Sequence, residues 1–331
     1  MTASTDAPAA ASARQQTVPE FFVVGHHKCG TSALYEMLRR HPQIYMPDVK
    51  ETWYFSPELR SIGKRKLPAA ARPETLEQYL SLFENALPGQ RVGENSPAYL
   101  MSRTAAQRIA ETQPEARIIA ILREPASFLR SFHLQCLRNH VETERDFGKA
   151  IALEEARRQG KNIPRHSHRP HELLYSNHIR YVEQLQTYEA VFPREHILVL
   201  IYEDFRSDNE ATVREVLKFL DVDDSGPIEA IEANPSFSVR SPKLHELVRS
   251  VYVGRGPVSR GVKRTVKSLS TRELRRELLR LTRRRVVYGE PQLPDEKVML
   301  ELRRRFKGEV TALSEHLGRD LVSRWGYDGI D

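Results

Sequence analysis

Three short runs of consecutive apolar residues punctuate the chain: Phe21-Phe22-Val23-Val24, the segment ARIIAIL over Ala116–Leu122, and HILVLIY over His196–Tyr202. Apolar runs of this length without polar alternation are typical of strands buried on both faces, as in a parallel sheet. Ile44–Met46 and Arg91–Glu94 read as two shorter strands. Between them, helical spacing of apolar residues predicts helices over Ser32–Arg40 (ended by His41-Pro42), Thr75–Leu82, Arg103–Glu111, Ala126–His140, Phe147–Arg158, Leu173–Val191, Asp208–Leu220, Pro242–Tyr252 and Asp295–Leu317. In the sixth of these, Leu173–Val191, the residues Ile179, Val182, Leu185 and Tyr188 share one face. Glu58–Ala71 and Gly160–His171 read as loops, and Pro235–Val239 as a linker. Strands alternating with helices predict an α/β fold of three layers, a central mostly parallel sheet with helices on both faces. No repeat and no long linker interrupts the alternation, so 18–331 reads as one domain behind a disordered tail at 1–17, rich in Ala, Ser and Thr.

Composition narrows the class only a little. The chain has 331 residues, 40% hydrophobic and 29% charged, which suits a globular domain of this size. No apolar run approaches the ~20 residues of a membrane span, and the N-terminus lacks the charged and apolar regions of a secretory signal. Cys29 and Cys136 are the only cysteines, too few for a disulfide scaffold or zinc ribbon, and they suit a reducing cytoplasm. The net charge of +7 is local: Arg255–Arg285 holds 12 Lys/Arg against Glu273 and Glu277, leaving the rest of the chain at about −3. That distribution argues against a general affinity for nucleic acid. Val262, Val266 and Leu269, then Leu274, Leu278 and Leu281, recur at helical spacing within it. The segment therefore reads as an amphipathic helix pair with a solvated basic face, or as a lid or membrane-surface element within 255–290.

The candidate chemistry lies where strands end, since ligands of open parallel sheets bind beyond the carboxyl ends of the strands. The first strand runs into Gly25-His26-His27-Lys28-Cys29-Gly30-Thr31-Ser32 and then a helix. Two glycines bounding four residues before a helix make a P-loop-like frame, which offers backbone N–H groups and a helix N-terminus to an anion. Thr31 stands where a Walker loop has lysine, and the lysine lies inside the loop as Lys28. The second strong strand ends on Arg123, with Ser131 about two helical turns on; the third ends in Tyr202-Glu203-Asp204. An arginine at a strand end with a serine on the next helix can hold a second phosphate. An ATPase or kinase would want a strand-end acid for Mg²⁺; here that place has Arg123, and Asp204 is the only near alternative. The pattern predicts a ligand with two separate anionic groups and no metal.

The segments VVGHHKCGTSAL, VKETWYF, RVGENSPAYL, ARIIAILREPASFLRSFH and ILVLIYEDF, in this order, together with the C-terminal LRRRFKGEVTALSEHLGRDLVSRWGY, resemble the sulfotransferases that use 3′-phosphoadenosine 5′-phosphosulfate (PAPS). They are most like bacterial relatives of the heparan sulfate and carbohydrate sulfotransferases. The resemblance spans roughly Phe21 to Tyr327. It implies a P-loop-like fold, PAPS as co-substrate with 3′-phosphoadenosine 5′-phosphate (PAP) as product, and no required metal. It also implies a hydroxyl-bearing acceptor: a glycan, glycolipid or secondary metabolite. By the same resemblance Lys28, Cys29, Gly30, Thr31, Ser32 and Ala33 would bind the 5′-phosphosulfate, with Lys28 on the transferring group. Arg123 and Ser131 would take the 3′-phosphate, Tyr202 would lie against the adenine, and Glu51 would take the acceptor's proton. Arg240, in SFSVRSPK, is a further cofactor contact on this reading. Asn95 stands where many glycan-acting relatives carry a lysine before Ser-Pro, which weakens the case for a sulfated or uronate-bearing polymer.

Other readings stand beside these. His26 and His27 compete with Glu51 as the base. Cys29 reads as a small filler or, in a positive field, a nucleophile. His166, His168 and His171 form a loop cluster that reads as an acceptor mouth, an exposed tract or a metal site. The runner-up functions are a P-loop small-molecule kinase and a non-catalytic nucleotide- or membrane-binding module.

Overall fold

The computed structural model describes residues 17–60, 72–165, 167–229 and 295–330, with 231, 238–239, 288–289 and 293. The basic stretch 255–285, Arg240, His166, the helix expected at Pro242–Tyr252 and the tail at 1–16 lie outside the described residues. Five strands form one sheet: β1 Phe21–Gly25, β2 Ile44–Tyr45, β3 Arg91–Asn95, β4 Arg117–Leu122 and β5 Ile197–Ile201. Their order is β2-β3-β1-β4-β5, and every pairing is parallel. All five residues of β1, and all but the first of β3 and β4, are buried, so both faces of the central strands are covered, as the apolar runs of β1 and β4 predict; β3, Arg-Val-Gly-Glu-Asn, is buried without such a run. Gly93 pairs with Phe21 across β3 and β1, and a side chain there would strike the Phe21 ring.

The helices are α1 Thr31–Leu38, α2 Leu76–Leu80, α3 Ala105–Thr112, α4 Pro125–Arg138, α5 Phe147–Ala152, α6 Glu154–Arg158, α7 Tyr181–Glu189, α8 Tyr202–Ser207, α9 Asn209–Phe219, α10 Glu296–Leu317 and α11 Leu321–Arg324. Capping explains several boundaries. The Glu124 carboxylate accepts from the Ala126 and Ser127 N–H groups just ahead of Pro125, Asp208 caps α9, and Asp295 caps α10. The long α10 ends at Gly318, left-handed at φ 62°, and packs on α4 and α7. Its apolar stripe Leu302, Phe306, Val310 and Leu313 is buried.

Three expectations are corrected. The helix expected over Leu173–Val191 begins only at Tyr181; 3₁₀ turns occupy Pro170–Leu173 and Tyr175–Ile179. The cause is tertiary, since the Ser176 N–H and hydroxyl both donate to the Glu154 carboxylate, which pins the chain in a turn. The helix expected over Phe147–Arg158 is broken at Leu153. Tyr202 does not end β5 but opens α8.

Candidate functional site

The site gathers at the carboxyl ends of β1, β3, β4 and β5. Beyond β1 the loop is fixed by packing at both glycines. A Cβ on Gly25 would lie 2.5 Å from Leu100, and one on Gly30 would lie 2.8 Å from the Phe205 ring. Gly30 also sits at φ +85°, so a side chain is excluded there on two counts. Gly30 is the N-cap of α1 and offers no side-chain cap, and no acidic residue occupies the first turn. The positive end of α1 is thus left to another anion.

Lys28 stands in this loop at φ 62°. Its carbonyl accepts from Arg123 Nη1 at 3.0 Å, which ties the β4 strand end to the loop. The Arg123 guanidinium lies 4.5 Å from the centre of the Tyr202 ring, and its Nε is buried without a hydrogen-bond partner among the described residues. Arg123 does not pair with the adjacent Glu124, whose carboxylate caps α4 and accepts from the Tyr327 hydroxyl at 2.6 Å. The Lys28 ammonium is pushed down from 10.5 to about 8, first by burial and then by the charges of Arg138 and Arg123. Cations crowded together in this way mark a place built for an anion. Arg138, at the end of α4, had no place in the sequence reading; it lies seven residues beyond Ser131, two turns along the same helix face. Ser131 itself is 4% exposed and has an interaction partner, so it is no surface serine.

A second group of side chains faces the loop from the segment Lys50–Phe55. Lys50 donates to the Ser32 hydroxyl at 3.0 Å, with its ammonium 4.9 Å from the Tyr35 ring centre, and not to Glu51. Glu51 is exposed at φ 56°, and Trp53 has φ 58°. The indole of Trp53 lies near the His27 ring at 6.3 Å and under the Arg169 guanidinium at 5.6 Å. Arg169 pairs with Glu172 at 2.7 Å. Burial raises the Glu172 carboxyl to about 7, Arg169 opposing and the charge of Glu51 assisting. No local spacing in the sequence marks Arg169 or Glu172, apart from Glu172 following His171.

His26 and His27 are both buried and held neutral. Each falls to about 3, His26 through burial and His27's charge, and His27 through burial and the charges of Arg169 and Lys28. His26 has no exposed surface and packs against Phe128, with ring centres 4.8 Å apart. Cys29 is wholly buried and its thiol pushed up by burial, which removes it as a nucleophile and leaves it a filler. Asp204, the candidate Mg²⁺ acid, is taken by Arg319 at 2.6 Å and by Arg324. Among the described residues no cluster of three or more His, Cys, Asp or Glu could hold a metal ion, and no helix is long and apolar enough to cross a membrane.

The structure therefore brings Lys28, Gly30, Thr31, Arg123 and Tyr202 into one cluster, with Lys50 tied to Ser32 beside it. Ser131 is buried on the adjoining α4, and Glu51 sits one residue beyond Lys50. A family model described as the sulfotransferase family matches residues 19–226. The chain belongs to the sulfotransferase family. A sulfotransferase from Alicyclobacillus acidocaldarius has a similar structure, with a TM-score of 0.57 and 30% identity over 70% of this chain and 91% of that one. The membrane-associated sulfotransferase kil1 of Dictyostelium discoideum is 24% identical, covering 71% of this chain and 62% of its own. Carbohydrate sulfotransferase 15 of Mus musculus is 25% identical, covering 71% of this chain and 49% of its own. The chain thus spans about half to three-fifths of the length of these curated relatives.

Proposed function

We propose that this sulfotransferase moves the sulfuryl group of PAPS to a hydroxyl of a glycan, glycolipid or metabolite. The observation that carries the reading is the cluster of Lys28, Arg123 and Arg138 at the uncapped N-terminus of α1, where Lys28 is depressed to about 8, first by burial and then by its cationic neighbours. Such a cluster is short of negative charge, and the 5′-phosphosulfate together with the 3′-phosphate would supply it. The loop N–H groups and Lys28 would hold the phosphosulfate, and Arg123, with Ser131, the 3′-phosphate. The unpartnered Arg123 Nε supports this assignment. The Tyr202 ring, already covered by Arg123, would extend the same surface towards the adenine.

Sulfuryl transfer, like phosphoryl transfer, is governed by in-line placement and charge stabilisation. In the proposed step the acceptor oxygen bonds to sulfur and its proton passes to Glu51. The sulfur–oxygen bond to the 5′-phosphate breaks, its electron pair going to the phosphate oxygen, where Lys28 meets the new charge. Burial of His26 and the low proton affinity of His27 favour Glu51 over either histidine as base. The names of the curated carbohydrate sulfotransferases support a hydroxyl-bearing acceptor. The test is transfer of label from PAPS into an extract of the native host, with products identified by mass. Wild type is expected to label a product and Glu51→Gln to leave it unlabelled at equal PAP binding. PAP binding without any labelled product, or full labelling by Glu51→Gln, overturns the reading.

A further inference from the structure

The Glu51 loop is held in an unfavourable conformation by a buried carboxylate that no sequence motif singles out. Glu51 and Trp53, on either side of Thr52, both have left-handed backbones, at φ 56° and 58°. Each costs a non-glycine residue roughly 1–2 kcal/mol, so neighbouring contacts must hold them there. Thr52 is fully buried and its hydroxyl donates to Glu94 Oε1 at 2.7 Å. The Tyr54 N–H donates back to Thr52 Oγ1 at 3.3 Å, and Arg60 Nε donates to the Trp53 carbonyl at 3.0 Å. Glu94, at the end of β3 and with no exposed surface, also accepts from Ser96 and Tyr79 at 2.6 Å each and from Tyr99 at 2.9 Å. Four hydroxyl donors satisfy a carboxylate that burial would otherwise make costly.

The next residue links this knot to the anion loop. The Glu51 N–H donates to the Asn95 carbonyl at 3.0 Å, while Asn95 Nδ2 donates to the Thr31 carbonyl at 2.9 Å. One strand end therefore grips the segment that carries Glu51 and the loop that opens α1. We infer that Thr52 and Glu94 are positioning residues, which with Asn95 set the reach of the Glu51 carboxyl to the group held at the N-terminus of α1. This inference rests on the reading of Glu51 as the base.

The test uses the full chain with Thr52→Val, which keeps shape and removes the hydroxyl, Thr52→Ser, which restores it, and Glu51→Gln. Two readouts run together. The first is PAP formation from PAPS with water as acceptor. Thr52→Val should lower kcat about 30- to 100-fold, the scale of a misplacement near 1 Å, with the KM for PAPS within about twofold, and Thr52→Ser should recover most of the rate. The second needs no turnover. Trp53 and Trp325 are the only tryptophans, so 5-fluorotryptophan labelling gives two ¹⁹F resonances. The Trp53 resonance should shift or broaden in Thr52→Val and return in Thr52→Ser, with that of Trp325 unmoved. Glu51→Gln at the full wild-type rate would sink the base reading. A slow Glu51→Gln beside a Thr52→Val variant of wild-type rate, or an unchanged Trp53 resonance in Thr52→Val, would sink the positioning inference alone.

Discussion

Lys28 makes a quantitative prediction because burial, and then two neighbouring cations, act against its charge. Its ammonium is half-buried beside Arg138 and Arg123 and falls from 10.5 to about 8. At 1.36 kcal/mol per unit, that is about 3 kcal/mol held against the charged form. A bound phosphate supplies the missing counter-charge, so the ligand should return the group towards its ordinary value and take up a proton. At pH 9 the free protein would carry roughly 0.1 proton on Lys28 and the complex nearly one, whereas at pH 7 both are charged. Calorimetric titration of PAP in two buffers of different ionisation enthalpy should therefore show uptake of about 0.9 proton at pH 9 and nearly none at pH 7. The PAP Kd should weaken above pH 8, approaching tenfold per unit. Lys28→Met should abolish the uptake, flatten the dependence and bind on the order of 100-fold more weakly at pH 7. A wild-type Kd that stays flat from pH 7 to 10, or proton uptake that persists in Lys28→Met, would refute the reasoning.

The other predictions concern the frame around this site. Arg157 and Glu142 form a bidentate ion pair with side chains 2% and 0% exposed. Arg157→Met should cost about 3–5 kcal/mol in urea unfolding, and the double variant Glu142→Leu/Arg157→Met should recover most of it. Glu172, raised to about 7, keeps a proton that the unfolded chain releases near 4.5. Stability should fall by about 3 kcal/mol as pH rises between those values, a slope that Glu172→Gln removes in denaturation followed against pH. Gly30→Ala meets both the left-handed φ and the Phe205 ring; it should weaken PAP binding roughly tenfold or more, measured by calorimetry.

Much of the fold could be read from the chain because its central strands are buried on both faces. β1 and β4 are apolar runs, and burial of that kind leaves a direct trace in sequence; the edge strand β5 is as apolar, although Leu198 and Val199 are only half-buried. α10 was equally clear, since Asp295 caps it and Gly318 ends it. The turns over 170–179 were hidden because their conformation depends on Glu154, distant in sequence and bonded to Ser176. The site divides in the same way. Lys28, Arg123 and Tyr202 follow strands and so announce themselves by position. Arg138, Arg169 and Glu172 reach the site from a helix end and a 3₁₀ turn, with no local spacing to mark them. Glu94 lies in the segment RVGENSPAYL with no local sign of its role, since its hydroxyl donors Thr52, Tyr79, Ser96 and Tyr99 converge only once the chain is folded.

The central claim is that the cation cluster at the N-terminus of α1 is a site for the 3′,5′-bisphosphate of the spent donor. Isothermal titration of the full chain with PAP in EDTA, set against ATP with Mg²⁺, addresses it most directly. The account predicts saturable PAP binding without metal, lost in Arg123→Ala, and weak or absent binding of ATP with Mg²⁺. Tight binding of ATP with Mg²⁺ and none of PAP would contradict it.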